Sequence, residues 1–258
     1  MQHAEGYVRS EIEHGIATIE FFHPSSNSLP GPILSDLAKT INDIGTDDRV
    51  RVIILRSGGE RAFCAGASFD ELVSIENEAQ GKVFFNGFAN VINAMRKCHK
   101  LIIGRIHGKA VGGGVGLAAS TDYAIAVEAA SVKLSELAVG IGPFVVGPAV
   151  ERKIGLSCFS QLAIDATEWR SAEWAKKHGL YAELHTTTEE MDDAIRQLAE
   201  RLSHSSVDAM AQLKKAFWHG TEHWDSLLAE RAAVSGRLVL SEFTHNAIQK
   251  FKTKPVQQ

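Results

Sequence analysis

Along the first two thirds of the chain, apolar residues switch repeatedly between a spacing of two and a spacing of three to four. Residues 7–22, YVRSEIEHGIATIEFF, alternate apolar and polar on both sides of Glu13, His14 and Gly15, which predicts an antiparallel hairpin. After the loop HPSSNSLPG, the stretch Pro32 to Ile44 places Ile33, Leu34, Leu37, Ile41 and Ile44 on one helical stripe. Arg51 to Leu55 reads as a short buried strand. A glycine-containing loop from Ser57 to Ala67 leads to a helix from about Phe69, and Val83 to Cys98 is a second amphipathic helix. Leu101 to Ile106 is a strand feeding the triplet Gly112, Gly113 and Gly114, and Tyr123 to Val127 is another strand. From Glu189 onward the pattern is helical only, in three runs: MDDAIRQLAERLSH, SVDAMAQLKKAFWHG and a long run from Glu222 to Phe251. Alternating strands and helices followed by helices alone predict an α/β class with largely parallel pairing and a helical C-terminal part. The apolar stripes of that part need a cover, which a second subunit could supply.

Composition narrows the setting. At 258 residues, 45% hydrophobic and 22% charged, the chain can bury a substantial core. A net charge of −4, with no basic stripe interleaved with aromatics, argues against nucleic acid as a partner. Three scattered cysteines, Cys64, Cys98 and Cys158, do not make a disulfide framework and favour a reducing compartment. The N-terminal residues lack the pattern of a secretory signal. The longest uncharged run, Leu137 to Val150, is too short for a membrane span and carries Pro143, Gly147 and Pro148. The expectation is a cytoplasmic protein.

The chemistry concentrates between Gly104 and Glu136. Three glycines after an apolar run let the backbone pass close to a bound group, and they open a short helix whose free N–H groups can grip an oxyanion. Glu136 is a lone acid at the edge of the uncharged run, whose enclosure would raise its pKa by desolvation.

RAFCAGASFDEL (61–72), HGKAVGGGVGLAASTDYAIA (107–126) and KLSELAVGIGP (133–143) together resemble the crotonase superfamily of enoyl-CoA hydratases and isomerases. HPSSNSLPGPILSDL resembles that family's N-A-L loop and first helix, EWRSAEWAKKHGLYAEL (168–184) a downstream segment, and GRLVLSEFTHNAIQKFKTKP (236–255) its terminal helix. The resemblance implies a spiral of repeated ββα units. It places an acyl-CoA core over 1–188 and a helical region over 189–258 that serves assembly into a trimer or a dimer of trimers. It implies an acyl-CoA thioester as partner, with coenzyme A as part of the substrate, no separate cofactor and no metal. The donors to a thioester oxyanion fall on the backbone N–H groups of Ala67 and Gly113. Contacts to coenzyme A are expected around Ala65, Ser68, Phe69 and Asp70, with Gly112 beside them. Arg61, Lys250, Lys252 and Lys254 are candidate cations for its phosphates, a solvated basic tail being the alternative for the three lysines. Leu72, Phe84, Pro143 and Phe144 are apolar candidates for the acyl pocket.

Two positions depart from the family pattern: Ser68 stands where the family usually has Asp after G-A, and the decisive departure concerns the hydratase glutamates. Family hydratases carry two glutamates, and the matching positions here are Gly116 and Glu136. Water addition normally shares its proton traffic between two carboxylates, whereas one base suffices to move a double bond. The resemblance is therefore nearest, at the site, to single-glutamate enoyl-CoA isomerases. A hydratase with another partner acid, another reaction of the superfamily, and a non-catalytic acyl-CoA-binding protein stay open.

Competing motifs carry less. GVGLAA (114–119) with Glu128 fits a dinucleotide fingerprint, but the six residues between Gly116 and Tyr123 leave no room for a crossover helix. No G-x-S-x-G elbow and no phosphate-binding G-x-x-x-x-G-K-[ST] loop occurs. His219 and His223 are read as surface histidines, Cys64 as buried filler, and Trp169, Trp174, Trp218 and Trp224 as core or interface anchors.

Overall fold

The computed structural model describes residues 6–253, with side chains as far as Lys250. The hairpin is β1 (Tyr7–Glu13) and β2 (Ile16–Phe22), antiparallel in the register Glu13↔Ile16. Its turn residues His14 and Gly15 both have positive φ, as the tightest hairpin loops require. Next come β3 (Ser28–Leu29) and α1 (Gly31–Gly45), which buries the stripe Ile33, Leu34, Leu37, Ile41 and Ile44. The chain continues through β4 (Val52–Ser57), β5 (Ala62–Cys64), β6 (Gly66–Ala67), α2 (Phe69–Val73) and α3 (Glu78–Lys97). Then follow β7 (Leu101–Ile106), β8 (Lys109–Val111), α4 (Gly113–Ser120), β9 (Tyr123–Val127) and β10 (Val132–Lys133). A 3₁₀ turn at Leu137–Val139, α5 (Gly147–Ile164), α6 (Ala172–Lys177) and β11 (Glu183–His185) complete the mixed part. The rest is helical: α7 (Thr188–Ser203), α8 (Val207–Phe217), α9 (Trp224–Leu238) and α10 (Glu242–Thr253).

Six strands form one sheet in the order β1-β2-β4-β7-β9-β11, parallel everywhere except the opening hairpin. A second, three-stranded sheet runs β10-β8-β5. Each turn of the chain thus lays one strand in the large sheet and the next in the small one before a helix returns: β4 then β5, β7 then β8, β9 then β10. This is a spiral of ββα units. The large-sheet strands β4 and β7 are apolar and almost wholly buried, as expected when both faces of a parallel sheet are covered.

Several expectations need adjustment. The loop expected from Ser57 to Ala67 contains β5 and β6, and the glycine triplet is fed by β8, because the chain leaves the large sheet after Ile106. Strands of two or three residues are too short to show a period. Helix α3 begins at Glu78, ahead of the apolar stripe; Asn77 caps it by accepting from the Gln80 N–H at 3.0 Å. The run from Glu222 to Phe251 is two helices, parted where Ser241 accepts from the Thr244 N–H at 3.2 Å and starts α10. Pro148 does not break structure but opens α5, where its missing N–H costs nothing. Among the described residues, no helix is long and apolar enough to cross a membrane.

Helix α7 covers the large sheet, contacting β2, β4, β7, β9 and β11. Helix α9 crosses α3 at Gly81 and Gly236, so closely that a Cβ on Gly81 would lie 2.6 Å from the Gly236 carbonyl oxygen. Helix α10 lies over the 3₁₀ turn, where a Cβ on Gly140 would meet Phe243 and Thr244.

Candidate active site

Strand register assembles the site. Lys133 in β10 pairs with Val111 in β8, and the Gly112 N–H donates to the Lys133 carbonyl at 2.9 Å. The residue after Val111 is thereby held beside the segment that leads from Lys133 to Glu136. Gly112, at φ +53°, turns the chain into α4, and a Cβ there would lie 2.9 Å from Glu136 Oε1. Gly113 and Gly114 are needed for room, since a Cβ on either would collide with Phe88 or with Cys64. No side chain caps α4, so its first-turn N–H groups are those a helix leaves without intrahelical acceptors.

The other half of the site comes from the Ala65 to Ala67 loop. β3 pairs with β6 in the register Leu29↔Ala67, and the Ala65 N–H donates to the carbonyls of Ser26 and Asn27 at 3.2 Å. Asn27 itself staples the preceding turn by donating to the Gly58 and Ala62 carbonyls, both at 2.9 Å. Gly66, at φ +89°, lies so near the triplet that a Cβ would be 3.5 Å from the Gly113 nitrogen. Two backbone loops therefore face each other across a narrow cleft.

Glu136 opens the 3₁₀ turn, its carbonyl accepting from the Val139 and Ile141 N–H groups at 3.2 and 3.0 Å. The residue as a whole is partly exposed, but its Oε2 is sealed from solvent and without a hydrogen-bond partner. Burial pushes its carboxyl up to about 7. Such a group is available both as base and as acid near neutrality. Among the described residues on the cleft wall it is the one ionisable carboxyl.

The wall combines Ala65, Ala67, Phe69, Gly112, Gly113, Glu136, Leu72, Pro143 and Phe144, all expected from the sequence, with Phe85, Phe88, Ser135, Val146 and Ser235, which its motifs do not single out. Phe85 and Phe88 lie in the predicted amphipathic helix. Phe84 faces a neighbouring cleft with Glu71, Ile75 and Val83, so its assignment to the acyl pocket is corrected. Ser68 is off the wall because its hydroxyl caps α2, accepting from the Glu71 N–H at 3.4 Å. Arg61, Asp70 and Lys250 are also off it. The side chain of Lys252, and Lys254 altogether, lie outside the described residues.

Gly116 lies in α4, and a Cβ there would lie 2.5 Å from Val146 Cγ1 and 2.6 Å from Val146 Cβ. The place where a second acid would arise is filled by valine. The Cys64 thiol is buried, pushed up to about 12, and stays protonated, so it is filler.

Residues 11–254 match the family model described as enoyl-CoA hydratase/isomerase. The chain belongs to that family. Among its enoyl-CoA hydratase/isomerase relatives, the short-chain-enoyl-CoA hydratase of Clostridium acetobutylicum is 27% identical over 247 residues, covering 95% of this chain and 94% of the relative. The carnitinyl-CoA dehydratase of Escherichia coli is 26% identical over 243 residues, covering 88% and 92%. The crystal structure of an enoyl-CoA hydratase from Bacillus halodurans superposes with a TM-score of 0.87 at 21% identity, covering 95% of this chain and 99% of that one, and shows the shared fold. This enoyl-CoA hydratase/isomerase family member thus has the spiral fold expected from its motifs, and it is an enzyme of that family.

Proposed function

We propose that this enzyme moves the double bond of a 3-enoyl-CoA to the 2-position, with Glu136 as its one acid–base group. The observation that carries the reading is the Gly116 and Val146 contact, which leaves no space for a carboxylate side chain at Gly116, while Glu136 is the one carboxyl among the described residues on the cleft wall. In this scheme the Glu136 carboxylate takes a proton from C2, and the electron pair moves through C2 and C1 onto the thioester oxygen. The resulting dienolate oxygen sits between the N–H groups of Ala67 and Gly113, whose fixed donors are worth a few kcal/mol each, about 3 on the scale of known oxyanion holes. The Glu136 carboxyl then returns the proton to C4, the double bond settles between C2 and C3, and the starting carboxylate is regenerated. A pKa of about 7 suits a group that must give back what it takes. Coenzyme A enters only as part of the substrate.

A second reading is hydration of a 2-enoyl-CoA, favoured by the names of relatives such as the Clostridium acetobutylicum hydratase. Proton NMR with a short trans-3-enoyl-CoA in heavy water separates the two. Formation of the 2-enoyl isomer from the 3-enoyl thioester supports the isomerase; a 3-hydroxyacyl product formed when a 2-enoyl-CoA is supplied in its place, with the 3-enoyl-CoA left unchanged, supports the hydratase. Absence of both C2 exchange on the 3-enoyl-CoA and water addition to the 2-enoyl-CoA would overturn both and leave a binding role. Assembly as a homotrimer or dimer of trimers in the cytoplasm belongs to the same proposal, and exposed Leu156, Ile164 and Leu213 are the apolar surface that assembly would cover. Light scattering on the purified protein tests it.

A further inference from the structure

A second cavity, of about 250 Å³, opens where the C-terminal end of α4 meets the first turns of α5, and it shares no lining residue with the Glu136 cleft. Thr121, Asp122, Arg152, Lys153, Phe217 and Trp218 line it, together with small residues of both helices. Three cations meet there. Lys214, 2% exposed, forms an ion pair with Asp122 Oδ2 at 2.6 Å behind the wall. Lys153 donates to the Asp122 backbone carbonyl at 3.2 Å. Arg152 lies over the Trp218 ring, 5.8 Å from its centroid, and donates to the carbonyls of Phe217 and His219.

Asp122 is the one carboxylate lining this cavity, and its side chain is fully engaged. Oδ2 accepts from the Ile102 N–H at 2.7 Å as well as from Lys214, and Oδ1 accepts from Trp218 Nε1 at 3.1 Å. Neither Lys153 nor Arg152 has it as an ion-pair partner. The two cations at the mouth therefore face the cavity with carbonyl oxygens as acceptors where a formal anion would match them. Burial pushes the Lys153 ammonium down; the Asp122 charge opposes this, and the Lys214 and Arg152 charges add to it. Three cations thus share one carboxylate at this cavity, and that carboxylate is paired with Lys214.

We infer that this cavity is a site for a phosphate-class oxyanion, held by Lys153 and Arg152 and walled by Trp218. The ion can arrive free or as the terminal group of a small phosphorylated molecule. The site does not share its ligands with Glu136, so it stands whether or not the isomerase reading does.

The test is a titration of the full-length protein with inorganic phosphate, and in parallel with methyl phosphate, at constant ionic strength. The readout is the indole ¹⁵N–¹H signal of Trp218, assigned with Trp218→Phe. A saturable shift is expected in the wild type, about tenfold weaker binding in Lys153→Gln, and recovery in Lys153→Arg, as loss and return of one charge-assisted contact would give. Equal binding of methyl phosphate identifies the phosphorylated molecule as the source; binding of inorganic phosphate alone identifies the free ion. No shift at Trp218, or a Lys153→Gln variant that titrates like wild type, overturns the site. If Lys153→Gln does not fold, the wild-type comparison with the exposed Trp169 indole decides: a shift at Trp218 alone supports the site, and equal shifts at both overturn it.

Discussion

Val146 Cγ1 lies 2.5 Å from the point at which Gly116 would carry a Cβ. Glycine and valine here are one fitted pair, and neither can be changed alone at the same cost as both together. Gly116→Glu is expected to lower stability by about 3 kcal/mol through overpacking, and a large part of that loss should return in the double variant with Val146→Gly. Urea unfolding of the four members of the cycle measures the coupling. Simple additivity would mean that the valine moves freely out of the way.

The carboxyl of Glu136 sets two pH dependences. In the proposed isomerisation its base form takes the proton, so kcat/KM is expected to fall tenfold per pH unit below about 7 and to level off above it. Its folded pKa is raised from the reference value of 4.5, so the folded protein holds this proton more tightly than the unfolded chain does. The stability linked to it is complete below pH 4.5 and is lost as pH rises through about 7. Glu136→Gln should therefore gain on wild type by up to about 3 kcal/mol between pH 5 and pH 8 while losing turnover. Denaturant midpoints at the two pH values check the sign, and a constant difference would show that the carboxyl is solvated.

Asp122 ties three elements together through Ile102, Lys214 and Trp218. Asp122→Ala removes the acceptor and leaves the Lys214 ammonium buried at 2% exposure, a loss of about 3–5 kcal/mol. Thermal or denaturant unfolding reads it directly. A loss below about 1 kcal/mol, the scale of an exposed pair, would show that Lys214 reaches solvent when its partner is removed.

Phe144 closes one side of the cleft, whose enclosed room is only about 70 Å³. That is well under the several hundred Å³, roughly 300 or more, typical of small-molecule sites, so the wall limits the acyl group. Phe144→Ala should raise kcat/KM for a longer 3-enoyl-CoA relative to a short one by about tenfold. A series of acyl lengths, assayed at limiting substrate, reports the ratio.

Much of this architecture is legible in the order of residues alone. The stripe of α1, the hairpin at His14 and Gly15, and the strands β4, β7 and β9 have enough residues to display a period, and the glycine triplet signals close backbone approach. The small sheet does not show itself, because β5, β8 and β10 have two or three residues each and are defined by their partners. At the site, Glu136 and the two loops are readable because their chemistry is local. Val146 and Ser235 are not, because what gives each its place is a neighbour far away in sequence. The difference between Phe84 and Phe85 is one residue on a helix; both are buried, and only tertiary packing decides which of them lines the Glu136 cleft.

Ser235 reaches the cleft from α9 next to Gly236, at the seam where two glycines let the backbones of α3 and α9 touch. More than a hundred residues separate Ser235 from the glycine triplet, so one wall of the cleft is supplied by the helical part that follows the spiral. The spiral by itself would lack that wall, so loosening the α3 and α9 seam is expected to open the cleft. Exchanging α9 among relatives would then alter the cleft itself as well as any surface used for assembly.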